Sequence, residues 1–251
     1  MTPASTSNIH SGFKVIATIP CLNTEKTIDQ VVKETLKYVD QVIIIDDGST
    51  DNTAKIAKMA GALVVSHAVN KGYGASIQSG FAAARTNGAD IVVTIDGDGQ
   101  HNPAEIPGLL SLIINEGADV VIGSRFLPVP QNTDSTIQCQ SSNRVPVYRK
   151  FGIKVITWLW NVGSLVKVSD SQSGFRAYGR GSIEKLNIKE NGMSVSIEIL
   201  EIIRKRKLII KEAGITCSYA DNNSTLSNKA FTHGIKVALS TIIFRMKIKQ
   251  A

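Results

Sequence analysis

The sequence predicts an α/β protein built on a mainly parallel central sheet flanked by helices on both faces. Two observations predict it. Short Val- and Ile-rich runs alternate with helical stretches through the first half of the chain, and the runs end repeatedly in Asp, Asn and Gly. A sheet of this kind brings such ends together at its carboxyl edge, where ligands gather. With 251 residues, 43% of them hydrophobic, the chain can bury a full core.

Each element follows in order. Lys14 to Ile19 reads as a strand, Thr24 to Tyr38 as an amphipathic helix, and Gln41 to Ile45 as a second strand ending in Asp46 and Asp47. Asp51 is the expected N-cap of a helix over Asn52 to Ala60, and Leu63 to Ser66 gives a short third strand. Gly72 to Asn87 reads as a helix with small residues on one face. A strand from Ile91 delivers Asp96, Glu105 to Glu116 forms the next helix, and Asp119 to Ile122 the strand after it.

The stretch IVVTIDGDGQH, Ile91 to His101, carries the clearest chemistry. Positions i and i+2 of an extended segment point the same way, so Asp96 and Asp98, with Gln100 at the same period, are candidates to hold one hard divalent cation, Mg²⁺ or Mn²⁺, alongside phosphate oxygens. A polar turn after a strand accounts for the same residues. The segment NKGYG, Asn70 to Gly74, offers backbone N–H groups to phosphate but matches neither a Walker loop nor a dinucleotide fingerprint. Asp47 is placed to bond a base or ribose, or to cap the turn Gly48 to Thr50.

Composition excludes several classes. Cys21, Cys139 and Cys217 lack metal-ligand spacing and are odd in number, against a disulfide framework or zinc site and in favour of a reducing compartment. The start, MTPASTSNIHSG, lacks the apolar core of a signal peptide and reads as a loose tail. No run reaches the ~20 apolar residues of a spanning helix. The formal charge of +7 asks for an anionic partner: phosphate, nucleic acid or an acidic membrane surface. Phe151 to Val168 combines Trp158 and Trp160 with Lys154 and Lys167, beside Lys150, which suits an interfacial helix or a buried one, and Gly163 weakens it as a long helix.

Taken in order, PCLN, IIIDDGSTDNTA, NKGYGASIQSGFAAA, IDGDGQHNP and GSRF resemble the family-two glycosyltransferases, and PVYRK (Pro146 to Lys150) with DSQSGFRAY (Asp170 to Tyr178) resembles the polyprenyl-phosphate sugar synthases, the dolichyl-phosphate mannose synthase group. The resemblance implies an A-type glycosyltransferase fold with a C-terminal, acceptor-side helical extension. It divides the chain into a tail (1–12), a nucleotide-sugar-binding half (13–127) and an acceptor-binding half (128–251). It also implies transfer of a hexose, with inversion, from a GDP- or UDP-sugar to a polyprenyl phosphate. The donor site is expected over Pro20, Glu25, Ile45, Asp47, Gly72, Asp96, Gly97 and Asp98, with Asp96, Asp98 and Gln100 on the metal. Asp98, Arg125 and Arg149 are the catalytic candidates, and Arg125, Arg149, Asp170 and Arg176 the acceptor-site candidates. In DSQSGF, Asp170 is expected to orient the turn and Arg176, and Glu198 matches a family position near the site.

A phosphomonoester acceptor is already anionic near neutral pH, so no catalytic base is required. The place of action implied is the cytoplasmic face of a membrane, held peripherally, with Phe151 to Val168 and the basic FRMKIKQA tail as contacts; a membrane-protein partner fits this picture and a nucleic acid does not. The polar stretch Pro128 to Asn143 is expected to act as an acceptor lid. The chain departs from the family at Cys21, Leu22, Asn23 and Thr24, where Pro-Thr-Tyr-Asn-Glu is usual, with Glu25 the substitute. It departs again at Ser224, Thr225 and Leu226, where a basic residue is usual and Lys229 or His233 is nearest. Open alternatives are a family-two enzyme with a saccharide or other hydroxyl acceptor, a sugar nucleotidyltransferase, and a relative that binds without turnover.

Overall fold

Strict alternation of side chains along buried strands splits the core into two layers, one on each face of the sheet. The structure, a computed structural model, describes residues 10, 12–129, 147–164 and 166–218, with backbone alone for 147–149. The elements run β1 (Val15–Cys21), α1 (Ile28–Thr35), β2 (Gln41–Asp46), α2 (Thr53–Met59), β3 (Leu63–Ser66), α3 (Tyr73–Thr86), β4 (Ile91–Thr94), α4 (Ile106–Ile114) and β5 (Val120–Ser124). They continue with α5 (Val147–Asn161), β6 (Arg176–Gly179), α6 (Arg180–Lys185), α7 (Val195–Lys205) and β7 (Ile210–Gly214).

The seven strands form one sheet in the order β3-β2-β1-β4-β6-β5-β7. Val15, Ala17 and Ile19 of β1 pack with α1, α2 and α4 on one face, while Ile16, with Ile43 and Ile45 of β2, packs with α3, α5, α6 and α7 on the other. The expected mainly parallel sheet with helices on both faces is what the chain forms. Pro20 is tolerated inside β1 because the β1–β4 pairing stops at Thr18, so no ladder partner loses a donor.

The second half adds two strands that local patterning did not signal. β6 lies antiparallel between β4 and β5, and β7 lies parallel to β5 at the sheet's edge. Because β6 runs backwards, its amino end, Arg176 opposite Thr94, lies at the carboxyl edge of the parallel strands. Several helices are shorter than their sequence patterns. α1 begins only at Ile28, after a turn in which Thr24 O accepts from Thr27 and Ile28. α2 starts at Thr53, whose N–H donates to Asp51 Oδ1 at 2.9 Å, so Asp51 satisfies the helix start as expected, though from one residue further out than the N-cap. α5 stops at Asn161, where the positive φ of Gly163 turns the chain and Asn161 Oδ1 and Nδ2 bond the backbone of Val168.

Candidate active site

β1, β2, β4 and β5 point their carboxyl ends to one edge, and the turns there knit together. Asn23 Oδ1 accepts from Thr50 N at 2.9 Å, Glu25 Oε2 accepts from Asn52 N at 3.1 Å, and Asp46 Oδ1 accepts from Ser49 N at 3.1 Å. The cleft they border, about 290 Å³, is lined by Pro20, Tyr73, Asp96, Asp98, Gln172 and Met193 among others. Of the expected donor residues, Pro20 and Asp96 to Asp98 face it. Gly97 is needed for close approach, since a Cβ there would lie 2.5 Å from Cys21 Sγ. Burial pushes that thiol up to about 12, which leaves it unreactive.

Asp47, Gly72 and Ile45 behave differently. Asp47 is only 4% exposed; Oδ1 accepts from His67 Nδ1 at 2.7 Å and Lys71 N at 2.9 Å, and Oδ2 accepts from Gly72 N at 2.8 Å. Burial alone would raise its pKa, but the His67 bond and the two backbone donors outweigh it and hold the carboxyl below its ordinary value. Gly74 and Ala75 donate their N–H groups to Asn191 O. Of the NKGYG segment expected to offer N–H groups to phosphate, Lys71, Gly72 and Gly74 therefore already serve protein oxygens. The glycines there allow backbone contact: a Cβ on Gly72 would meet Asn191 O at 2.5 Å, and one on Gly74 would meet Glu190 O at 2.1 Å. Ile45 is fully buried beneath α3 and lines no open surface.

The turn after β4 also departs from simple alternation. β4 ends at Thr94 and the chain already turns at Gly97 and Asp98; Gly99 then takes φ +76°, and Gln100 N donates to Asp98 Oδ1 at 3.0 Å. Gln100 therefore does not follow Asp98 by strand period. Asp96 is held on both oxygens, by the Tyr73 hydroxyl on Oδ1 at 3.2 Å and by His101 Nε2, 3.4 Å from Oδ2. Burial would raise its pKa; His101 first, then Tyr73 and the Arg125 charge, outweigh burial and lower it. Asp98 is raised, by withdrawal from water first and, against the Gln100 N–H, by the negative charge of Asp96. Two accessible carboxylates on one loop, one disfavoured by the other's charge, suit a hard divalent cation. Among the described residues no group of three His, Cys, Asp or Glu could hold a metal by itself, so a cation here needs further oxygens from a ligand and water.

From the second half, DSQSGF enters beside this loop, and Gly174 O accepts from Thr94 Oγ1 at 2.7 Å. Asp170, fully buried, grips Arg125 rather than Arg176: Arg125 Nε donates to Oδ2 at 2.7 Å and Nη2 to Oδ1 at 2.8 Å. Glu212 of β7 accepts from the N–H groups of Ser169 and Asp170 and so fixes that turn. Arg176 is 2% exposed and donates to the carbonyls of Ser171 and Ser173. Glu198 is buried and accepts from the Lys189 and Glu190 N–H groups, shaping the loop that meets α3. Arg149 lies on α5, but its side chain, with most of the expected lid, Lys229, His233 and the FRMKIKQA tail, is outside the described residues. Sequence reading passed over Tyr73 and His101, although both sit inside quoted motifs, and Glu212, which has no local signal.

Acidic strand-end turns around a cleft, backed by a carboxylate-anchored arginine, are the equipment of a transferase that handles phosphorylated donors. The chain belongs to glycosyl transferase family 2, whose model matches residues 17–164, more than half of its length. It is a glycosyltransferase. It is 31% identical to the UDP-N-acetylglucosamine–dolichyl-phosphate N-acetylglucosaminyltransferase of Methanococcus voltae, over 91% of this chain and 94% of the relative. It is also 31% identical to the polyprenol monophosphomannose synthase of Mycolicibacterium smegmatis, over 70% of this chain and 65% of that one. Among solved structures, glucosyl-3-phosphoglycerate synthase from Mycobacterium tuberculosis, crystallised with Mn²⁺, UDP and phosphoglyceric acid, superposes with a TM-score of 0.71 at 22% identity, over 96% of this chain and 81% of that chain. That likeness identifies the fold as the A-type glycosyltransferase fold implied by the motifs.

Proposed function

We propose that the enzyme transfers a hexose, with inversion, from a GDP- or UDP-sugar to a polyprenyl phosphate at a membrane surface. The observation that carries the acceptor is similarity along nearly the whole chain to a transferase named for dolichyl phosphate. Mg²⁺ or Mn²⁺ is the expected cofactor, since Asp96 and Asp98 fit it and the fold's solved neighbours were crystallised with either ion and UDP. When bound, the ion offsets the charge of the donor diphosphate.

The chain's own residues orient and neutralise. Asp96 and Asp98 would hold the cation against which the diphosphate end of the donor is placed. Arg125, oriented by its two bonds to Asp170, presents a permanent positive charge toward the Asp96 side of the cleft. Arg149 is assigned to the acceptor phosphate from its motif. Buried Arg176 acts beneath the cleft through its charge. The acceptor oxygen attacks the anomeric carbon in line, the bond to the diphosphate breaks, and no proton transfer is asked of either aspartate.

Offering a panel of nucleotide sugars with polyprenyl phosphate, Mg²⁺ or Mn²⁺, and phosphoglyceric acid as a competing acceptor tests this directly. A lipid-linked product of inverted anomeric configuration by proton NMR is expected; retention, or transfer to phosphoglyceric acid alone, overturns the reading.

Peripheral attachment draws on α5. Its inner face buries Ile156 and Trp160, while Phe151, Val155, Trp158 and Val162, spaced by four, three and four residues, stand exposed, Trp158 by 64% and Phe151 by 71%. Exposed Lys150, Lys154 and Lys167 flank the stripe. Among the described residues no helix is long and apolar enough to cross a membrane. Each lysine near an anionic leaflet contributes roughly 1 kcal/mol, and the apolar stripe adds burial. In liposome flotation, Trp158→Glu with Phe151→Glu is expected to lower recovery on anionic vesicles several-fold; recovery equal to wild type removes α5 as the contact.

A further inference from the structure

His101 touches the site without a role in the transfer described above. Its ring is buried, 8% exposed, and Nε2 lies 3.4 Å from Asp96 Oδ2. The other ring nitrogen, Nδ1, has no hydrogen-bond partner among the described residues, so the ring's polar contact is directed at Asp96. With Tyr73 on Oδ1, the two side chains leave the Asp96 carboxylate little rotational freedom.

The imidazole is itself clamped from several directions. The Phe175 ring packs on it at 5.4 Å between centroids. His101 forms an antiparallel bridge with Cys217, Ser218 N donates to Gln100 O at 2.8 Å, and Glu105 Oε1 accepts from Thr216 N and Oγ1, both at 2.8 Å. The segment that follows β7 is thus strapped along the Asp96–Glu105 turn, one contact before His101, one on it and one after it. A ring that served only to fill the core would need no donor aimed at a carboxylate and no strap holding its register.

We propose that His101 is a positioning residue that fixes the Asp96 carboxylate in the rotamer that receives the metal–diphosphate group, with residues 215–218 as the strap that holds the imidazole in place. The proposal rests on the reading of Asp96 as a metal–diphosphate holder. An outer donor of this kind tunes affinity by restricting the ligand's geometry before the ion arrives, and its loss costs roughly 10- to 100-fold in metal affinity.

Calorimetric binding of UDP and of GDP to the full chain, measured across a Mn²⁺ titration, separates the outcomes. His101→Leu is expected to raise the half-saturating Mn²⁺ concentration roughly tenfold while leaving metal-free nucleotide binding unchanged, and His101→Gln, whose amide can still donate to Asp96, is expected to stay within about threefold of wild type. Wild-type Mn²⁺ dependence in His101→Leu, or an equal loss of metal-free binding, overturns the positioning role. Should the leucine variant fail to fold, His101→Asn, whose shorter amide falls short of Asp96, replaces it: weakened Mn²⁺ dependence beside an intact His101→Gln supports the role, and equal behaviour of the two amides overturns it. Wild-type protein that binds nucleotide with no Mn²⁺ dependence removes the underlying reading of Asp96 and the proposal together.

Discussion

Replacing Asp98 with alanine is expected to lower kcat/KM for sugar transfer by on the order of 100-fold or more, with no loss of thermal stability. The side chain is exposed at the cleft, and its one hydrogen bond among the described residues is to the N–H of Gln100, two residues away. Its charge is disfavoured there, first by partial withdrawal from water within the cleft and then by the negative charge of Asp96. A group whose charge is held at a cost to the folded state is one whose removal should leave folding unharmed while removing function. Initial rates, with Mn²⁺-dependent nucleotide binding measured in parallel, check the result. A variant with an unaffected rate refutes the assignment of Asp98 to the donor diphosphate.

Asp170→Ala is expected to act through stability first. Asp170 is fully buried and takes a two-bond grip on Arg125, whose side chain is itself only 12% exposed. Removing Asp170 takes the two-bond carboxylate away from a largely buried guanidinium, and breaking such a pair from one side costs about 3–5 kcal/mol. In a protein of this size that is a fall of roughly 10 °C in Tm. Arg125→Ala combined with Asp170→Ala should recover part of the loss, because the guanidinium that Asp170 holds is removed with it. A fall of less than about 1 kcal/mol in Asp170→Ala, by chemical denaturation, means that water or another group satisfies Arg125 and that the pair does not hold the arginine in place.

Much of the first half was legible because its signals are local. Apolar runs ending in Asp, and helices with caps or apolar stripes, specify β1 to β5 and the helices between them within a few residues. The Asp96–Asp98 loop and its place at the carboxyl edge were equally legible, since a buried strand followed by acidic glycine-rich residues has few other homes in an α/β sheet. Other readings failed for identifiable reasons. The N–H groups of Lys71 and Gly72 looked available because a sequence does not reveal acceptors from distant turns; Asp47 takes both of them, and Asn191 takes those of Gly74 and Ala75. Asp170, expected to orient its turn and Arg176, does accept from Gln172 N within the turn, but its arginine partner is Arg125, 45 residues away, brought beside it by the β5–β6 pairing.

By itself, then, the sequence determined the α/β class, the order of the parallel strands' elements and the family, because short-range patterning and motif order are properties of neighbouring residues. Only the tertiary structure decided that β6 runs antiparallel, and hence that DSQSGF reaches the donor edge. It alone placed Glu212 under Asp170 and the strap at residues 215–218 against His101. Those contacts join segments far apart in the chain, where hydrogen-bond partners are chosen by strand register and burial, and neither leaves a local mark in the residues that obey it.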